Sequence, residues 1–347
     1  MQPPPDPRKT DTAKAGLSAW VALGFVALGV SVAQAFGRFA YGVLLPAIRD
    51  DLQISNTLAG TLSAINVGGY LLGTLAVAWA ASNLRLLQIL RLGLALTTFG
   101  LVLAAWVGTP PALAFALFCT GVGGACVWIP ALIIAADAMP PAQRSMAVGL
   151  MGSGIGLGIV FTGFLSAHVR STYQDAGWPI VYWVDAGIAA VALVGLLFLV
   201  SHKQQHTSQK GGIGGFGALR RMRGWLPLTL AYSAFGFMYL LIIGFLTTRL
   251  EDDSGWSAPS AAYAFTVLGI AMVFGGPLSI WLEKQWGPRK TITGVFALWT
   301  VLTLVVLTGW TTPSLIAIAG LGILFTALPA LVTLFVVQNT NSNAVVQ

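Results

Sequence analysis

Ten stretches of this chain stay apolar for about 20 residues or more, the length that spans a bilayer as a helix. They fall at about 18–45, 57–81, 86–108, 111–136, 145–169, 179–200, 225–247, 259–282, 291–309 and 312–337. In hydrocarbon a backbone must satisfy its own hydrogen bonds, so only helices or a closed barrel cross it. Barrel strands alternate apolar and polar over about 10 residues, whereas these runs are continuous. The expected fold class is an all-α, polytopic membrane protein with ten transmembrane helices. Composition excludes the alternatives: 56% of residues are hydrophobic and 8% charged, against about 25% charged in a soluble domain. Disorder needs low hydrophobicity and is excluded as well.

The net charge of +7 and pI of 9.7 resemble a nucleic-acid signal but follow from topology. With the N-terminus in the cytoplasm, only Arg49, Arg170 and Arg249 fall in outside loops and Arg38 falls within a span. Every other Lys and Arg lies on the inside. Such a bias sets orientation, so the partner is the lipid bilayer and no nucleic acid is expected. Trp79, Trp106, Trp225 and Trp310 mark span ends, as an interfacial belt does. Residues 1–17 read as a cytoplasmic tail without a cleavable signal. Residues 201–224, polar, Gly-rich and basic toward Arg220–Arg223, read as a cytoplasmic linker, with both termini on the same side. Cys119 and Cys126 lie seven residues apart on one span, about 10.5 Å of helical rise, and read as packing residues.

The chain repeats. Ala35-Phe36-Gly37 recurs as Ala234-Phe235-Gly236 and Pro130-Ala131-Leu132 as Pro329-Ala330-Leu331, both displaced by 199 residues. The spans between correspond in order, and the first outside loop is acidic in both units (Asp50-Asp51; Glu251-Asp252-Asp253). An even number of spans per unit makes the repeats parallel, which is the plan of the major facilitator superfamily. The expected organisation is a six-helix bundle over 18–200, the linker, and a second bundle over 225–347 with four helices. A second unit of equal length would run about two spans further, so a truncated coding sequence or a shortened variant is expected.

The block GRFAYGVLLPAIRDDLQIS, residues 37–55, resembles the first-span signature of the YbfB-like branch of the major facilitator superfamily, and the layout of spans two to ten is similar. The resemblance implies a secondary transporter of the bacterial inner membrane that works by alternating access on a small-molecule solute, with a coupling ion. It implies no cofactor and no metal. The general motifs are poorly kept. The loop after span two supplies Gly73, Arg85 and Arg91 without the usual acidic residue. Leu117 stands where span four usually carries an arginine. Span five has Gly152, Gly154, Gly156 and Gly158 but lacks the antiporter proline.

Arg38 is the sharpest candidate. Arginine stays charged, and placing it in a span costs from about 2.5 kcal/mol upward, so it should face the bundle interior. Ser31, Gln34, Arg38 and Tyr41 share about 80° of an α-helix face. The corresponding positions of span seven, Leu230, Ser233, Phe237 and Leu240, are mostly apolar. A guanidinium fork matches a carboxylate, so Arg38, Gln34 and Tyr41 are candidate solute ligands. Snorkelling outward is the plain alternative. Ser63, Asn66 and Tyr70 share a face of span two, and Asn66 and Tyr70 join the candidates against a reading as interhelical hydrogen bonds. Asp185, deep in span six at a depth comparable to Arg38, is a candidate proton carrier or ion-pair partner of Arg38. The resemblance puts span six away from the central cavity and favours structural pairing. Gly69 and Gly73 and the glycines of span five read as packing, and Asp137 and Arg144 as a cap contact.

Two other classes compete. A ten-helix drug/metabolite-type carrier matches the span count, but its repeats are inverted. A membrane-embedded enzyme needs paired carboxylates or an H-E-x-x-H motif, which the sequence lacks. A truncated, inactive transporter is the remaining alternative.

Overall fold

The computed structural model describes residues 7–140, 143–200, 220, 222 and 224–340. Nearly all of the proposed linker and the first residues of the tail lie outside them. Among the described residues there is no strand, and ten helices are long and apolar enough to cross a membrane. Span one is assembled from Pro7–Ser31, a π-helical stretch Val32–Phe39, and Ala40–Asp51. The helix begins before residue 18, while its membrane-length apolar stretch, Ala19–Asp51, starts where expected and runs past the expected end at 45. Spans two to six are Asn56–Ala80, Leu86–Trp106, Pro110–Asp137, Arg144–Tyr173 and Trp178–Phe198; spans seven to ten are Trp225–Thr248, Ala258–Trp286, Pro288–Leu307 and Thr311–Thr340.

The ends follow local chemistry. Ser55 caps span two by accepting from the Leu58 amide at 3.2 Å, and Ser257 does the same for Ser260 in span eight. Gly287, at φ 75°, turns the chain directly into Pro288 at the start of span nine, using the freedom of glycine at positive φ and the fixed φ of proline.

Backbones touch where glycines remove side chains, as membrane helices require. Span four lies between spans two and three. A Cβ on Gly69 or Gly73 would press on the Phe118 or Val122 carbonyl, and one on Gly93 would meet Cys126. Span ten lies likewise between spans eight and nine. Gly121 and Gly123 face spans two and three, while their repeats Gly320 and Gly322 face spans nine and eight, with the two roles exchanged. The helix order of the second unit, with span ten between eight and nine, thus repeats that of the first, while the glycine contacts are exchanged.

Spans one to six meet spans seven to ten along two seams, five against eight and one against seven. In the first, a Cβ on Gly156 would lie 2.9 Å from the Gly269 carbonyl oxygen and one on Gly163 2.5 Å from Thr266 Oγ1. Gly149 and Gly152, nearer the linker end, have nothing within 4 Å. The seam is closed toward the acidic loops and parts toward the linker. In the second, Gly42 abuts the Ile243 carbonyl and its own carbonyl accepts from Thr247 Oγ1 at 2.6 Å. Gly42→Val is expected to lower stability by about 1–3 kcal/mol through overpacking, read as a lower melting temperature in detergent. A wild-type melt would contradict this close contact.

Candidate functional site

Arg38 lies on the π-helical stretch of span one, part-buried at the seam with span seven. Its Nη2 donates to the Tyr239 hydroxyl at 3.1 Å. Its guanidinium carbon stands 4.2 Å from the centre of the Tyr70 ring, a cation–π arrangement. Nε is buried without a hydrogen-bond partner. The ion pairs of the described residues involve Arg49, Arg170 and Arg249, and none reaches Arg38. The expected Arg38–Asp185 pair is not formed.

The other expected ligands divide. Gln34 is buried, donates to the Gly124 carbonyl at 3.3 Å, and interacts with the Tyr70 side chain. Gln34, Arg38 and Tyr70 are thus brought together. Tyr41 is not with them: 2% exposed, it donates to the Ala59 carbonyl at 2.8 Å. Ser31 turns to the Gly154 carbonyl in span five. The α-helical register that put these residues on one face fails because the wider π turns of Val32–Phe39 rotate the chain between them. Such turns often occur at functional positions. Asn66 is also spent on structure. Its Nδ2 reaches the Gly37 carbonyl at 3.1 Å, the Leu117 carbonyl at 2.9 Å and Thr120 Oγ1 at 3.0 Å, tying spans one, two and four. The Gly37 bond falls within the π-helical stretch, whose irregular backbone leaves carbonyls in need of such partners.

Asp185 is fully buried, and neither carboxylate oxygen has a hydrogen-bond partner; the nearby Tyr182 hydroxyl is likewise unpartnered. Asp137 has one buried oxygen without a partner, and the cap contact with Arg144 is absent from the ion pairs of the described residues.

Sequence reasoning missed the polar contacts that close the acidic end. Arg170, 5% exposed, holds both oxygens of Glu251 at 2.5 and 2.9 Å and Asp175 at 2.7 Å. Arg49 binds Asp252 with two nitrogens, Nη2 at 3.1 Å. Both join the first six spans to the last four. The signal was present: acidic clusters and three arginines share one side of the membrane, but pairing them needs the fold. Arg91, read as a loop-motif remnant, instead donates to the Leu196 and Val200 carbonyls at 2.8 Å and closes the end of span six, as cations favour.

Helices that cross a membrane, packed as two parallel units around an unpaired cation, define a membrane carrier. Residues 27–346 match the Major Facilitator Superfamily, and the chain belongs to that family. It is similar to the 4-hydroxybenzoate transporter PcaK of Acinetobacter baylyi, 22% identical over 80% of this chain and 68% of the relative. It is also similar to a protein described as a probable actinorhodin transporter of Streptomyces coelicolor, 25% identical over 67% of this chain and 42% of the relative. The fold matches the crystal structure of the nucleoside transporter NupG with a TM-score of 0.73, at 11% identity, over 95% of this chain and 84% of that one. The protein is a multi-pass membrane transporter of the secondary class, not an enzyme.

Proposed function

We propose that this chain moves a small anionic solute by alternating access, the solute binding at Arg38. One observation carries the reading: a guanidinium buried between the first six and the last four spans, held by two tyrosines, with no carboxylate partner among the described residues. A cation kept there at a cost of about 2.5 kcal/mol or more has coordination left for an anion. Relatives include a transporter named for an anion, 4-hydroxybenzoate, and one named for nucleosides, so the family alone does not choose. Arg38 does. Gln34 and Tyr70 line the same point, and the first and second bundles are the moving parts. The basic-residue bias supports a cytoplasmic linker and termini, and residues 37–55 support the YbfB-like branch of the bacterial inner membrane.

Asp185 is the coupling candidate. It is an acidic side chain in a dry position with no hydrogen-bond partner, which suits proton exchange over a standing ion pair. In proteoliposomes offered lactate, succinate and benzoate, a pH gradient is expected to drive accumulation of at least one. Asp185→Asn is expected to abolish accumulation yet preserve exchange of solute without a gradient. Gradient-driven uptake by Asp185→Asn at the wild-type rate would remove it from coupling.

A further inference from the structure

We infer that the solute at Arg38 is a planar aromatic monocarboxylate. This rests on the anion reading above and adds the chemistry of the rest of the molecule. Beyond Arg38 toward the acidic end the two units are closed, by the Gly42–Ile243 contact, the Thr247 hydroxyl on the Gly42 carbonyl, and the Arg49–Asp252 pair. Toward the linker end the units part, with Gly149, Gly152 and Gly236 open on their Cβ sides. Arg38 therefore lies between the closed acidic end and these uncrowded positions.

The wall leading to it is aromatic. Tyr232, Phe235 and Tyr239 follow at i, i+3 and i+7 on span seven, one helix face. Their rings are in series, Tyr232 to Phe235 at 5.8 Å and Phe235 to Tyr239 at 5.5 Å. Phe325 of span ten closes on Tyr239 edge-on at 5.1 Å. Opposite, Tyr70 lies flat under the guanidinium. Tyr232, 38% exposed, begins the row at the linker end.

Polar groups around the cation are few. Gln34 is engaged with Gly124, and the three contacts of Asn66 go to spans one and four. A polyol or sugar would leave its hydroxyls unpaired here, which a buried site penalises. A second carboxylate would find no second cation within the spans beside Arg38: Arg49, Arg170 and Arg249 are paired at the acidic end, Arg91 is engaged by carbonyls, and Arg85, Arg144, Lys284, Arg289 and Lys290 lie at the linker-end helix termini. One negative head on a flat apolar ring satisfies the site. The head meets the free edge of Arg38, and the ring lies between Tyr70 and Tyr239 in the offset or edge-on geometry that aromatic pairs favour, while Phe235, buried against Trp299 at 4.8 Å, backs Tyr239 from behind.

Calorimetry on the purified full chain in detergent tests this with four probes: benzoate, cyclohexanecarboxylate, benzamide and xylose. Benzoate is expected to bind, cyclohexanecarboxylate about fivefold more weakly for want of ring stacking, and benzamide and xylose without saturable heat. Tyr70→Leu should lower benzoate affinity to the cyclohexanecarboxylate level while leaving cyclohexanecarboxylate near its wild-type affinity, which a general folding defect would not do. Equal affinity for the two acids, or no benzoate binding to the wild type while another anion binds through Arg38, overturns the aromatic class and leaves the anion reading standing. Benzoate bound equally by wild type and Arg38→Ala overturns both.

Discussion

Glu251→Gln is expected to open the acidic end of the bundle. Arg170 is almost wholly buried, and its guanidinium is shared between Glu251 of the last four spans and Asp175 of its own unit. Removing one partner of a buried pair costs about 3–5 kcal/mol, because the other charge stays behind. The Glu251 pair bridges the two units only while that end is closed, so its loss weighs on the closed state alone. A shift of about 3 kcal/mol changes a two-state ratio by roughly a hundredfold. Spin labels at Thr109 and Thr308, exposed on loops of the two units at that end, should then show a longer distance. Arg170→Met combined with Glu251→Leu should restore the closed distance, since an apolar pair of similar size often substitutes without loss. An unchanged distance in Glu251→Gln would show that the ion pair does not hold the two units together.

Arg38→Lys is expected to reduce solute uptake at least about tenfold, and Arg38→Ala to abolish it. Lysine keeps the charge but loses the fork and the flat face that stacks on Tyr70. It also cannot both reach the Tyr239 hydroxyl and present a second donor along the same edge. Insertion should survive both changes, since Arg38→Ala makes the span more apolar and Arg38→Lys leaves its charge unchanged. Proteoliposome uptake, with equal amounts of each variant recovered as a monodisperse peak, makes the comparison. Wild-type rates in Arg38→Ala would remove Arg38 from the site.

Much of the architecture was readable because the bilayer leaves so few choices. Ten apolar runs became ten spans, and Gly69, Gly73 and Gly154 proved to be points of backbone contact. The Cys119–Cys126 segment packs as expected, with Cys126 against Gly93. The site was readable only in part. Arg38 and Tyr70 were each candidates on their own helices, but what joins them is the fold, and Tyr239, from a span about 200 residues later, carries no mark in its own sequence. Tyr41 and Asn66 were misplaced for a specific reason. The π turns of Val32–Phe39 shift the register past Gln34, and the irregular backbone they create consumes Asn66. No periodicity announces such turns, because they answer to tertiary neighbours such as Asn66 and Thr120, which meet Gly37.

The proposed alternating access around Arg38 makes a reciprocal demand on the two ends. Two label pairs, Thr109–Thr308 at the acidic end and Asn83–Lys290 at the linker end, can be measured by pulsed spin resonance in nanodiscs, in a background lacking Cys119 and Cys126. In the wild type the acidic end should be short and the linker end long. In Glu251→Gln the first distance should lengthen and the second shorten together. Lengthening at the acidic end with the linker-end distance unchanged would mean that the units merely splay, and would contradict transport by alternating access.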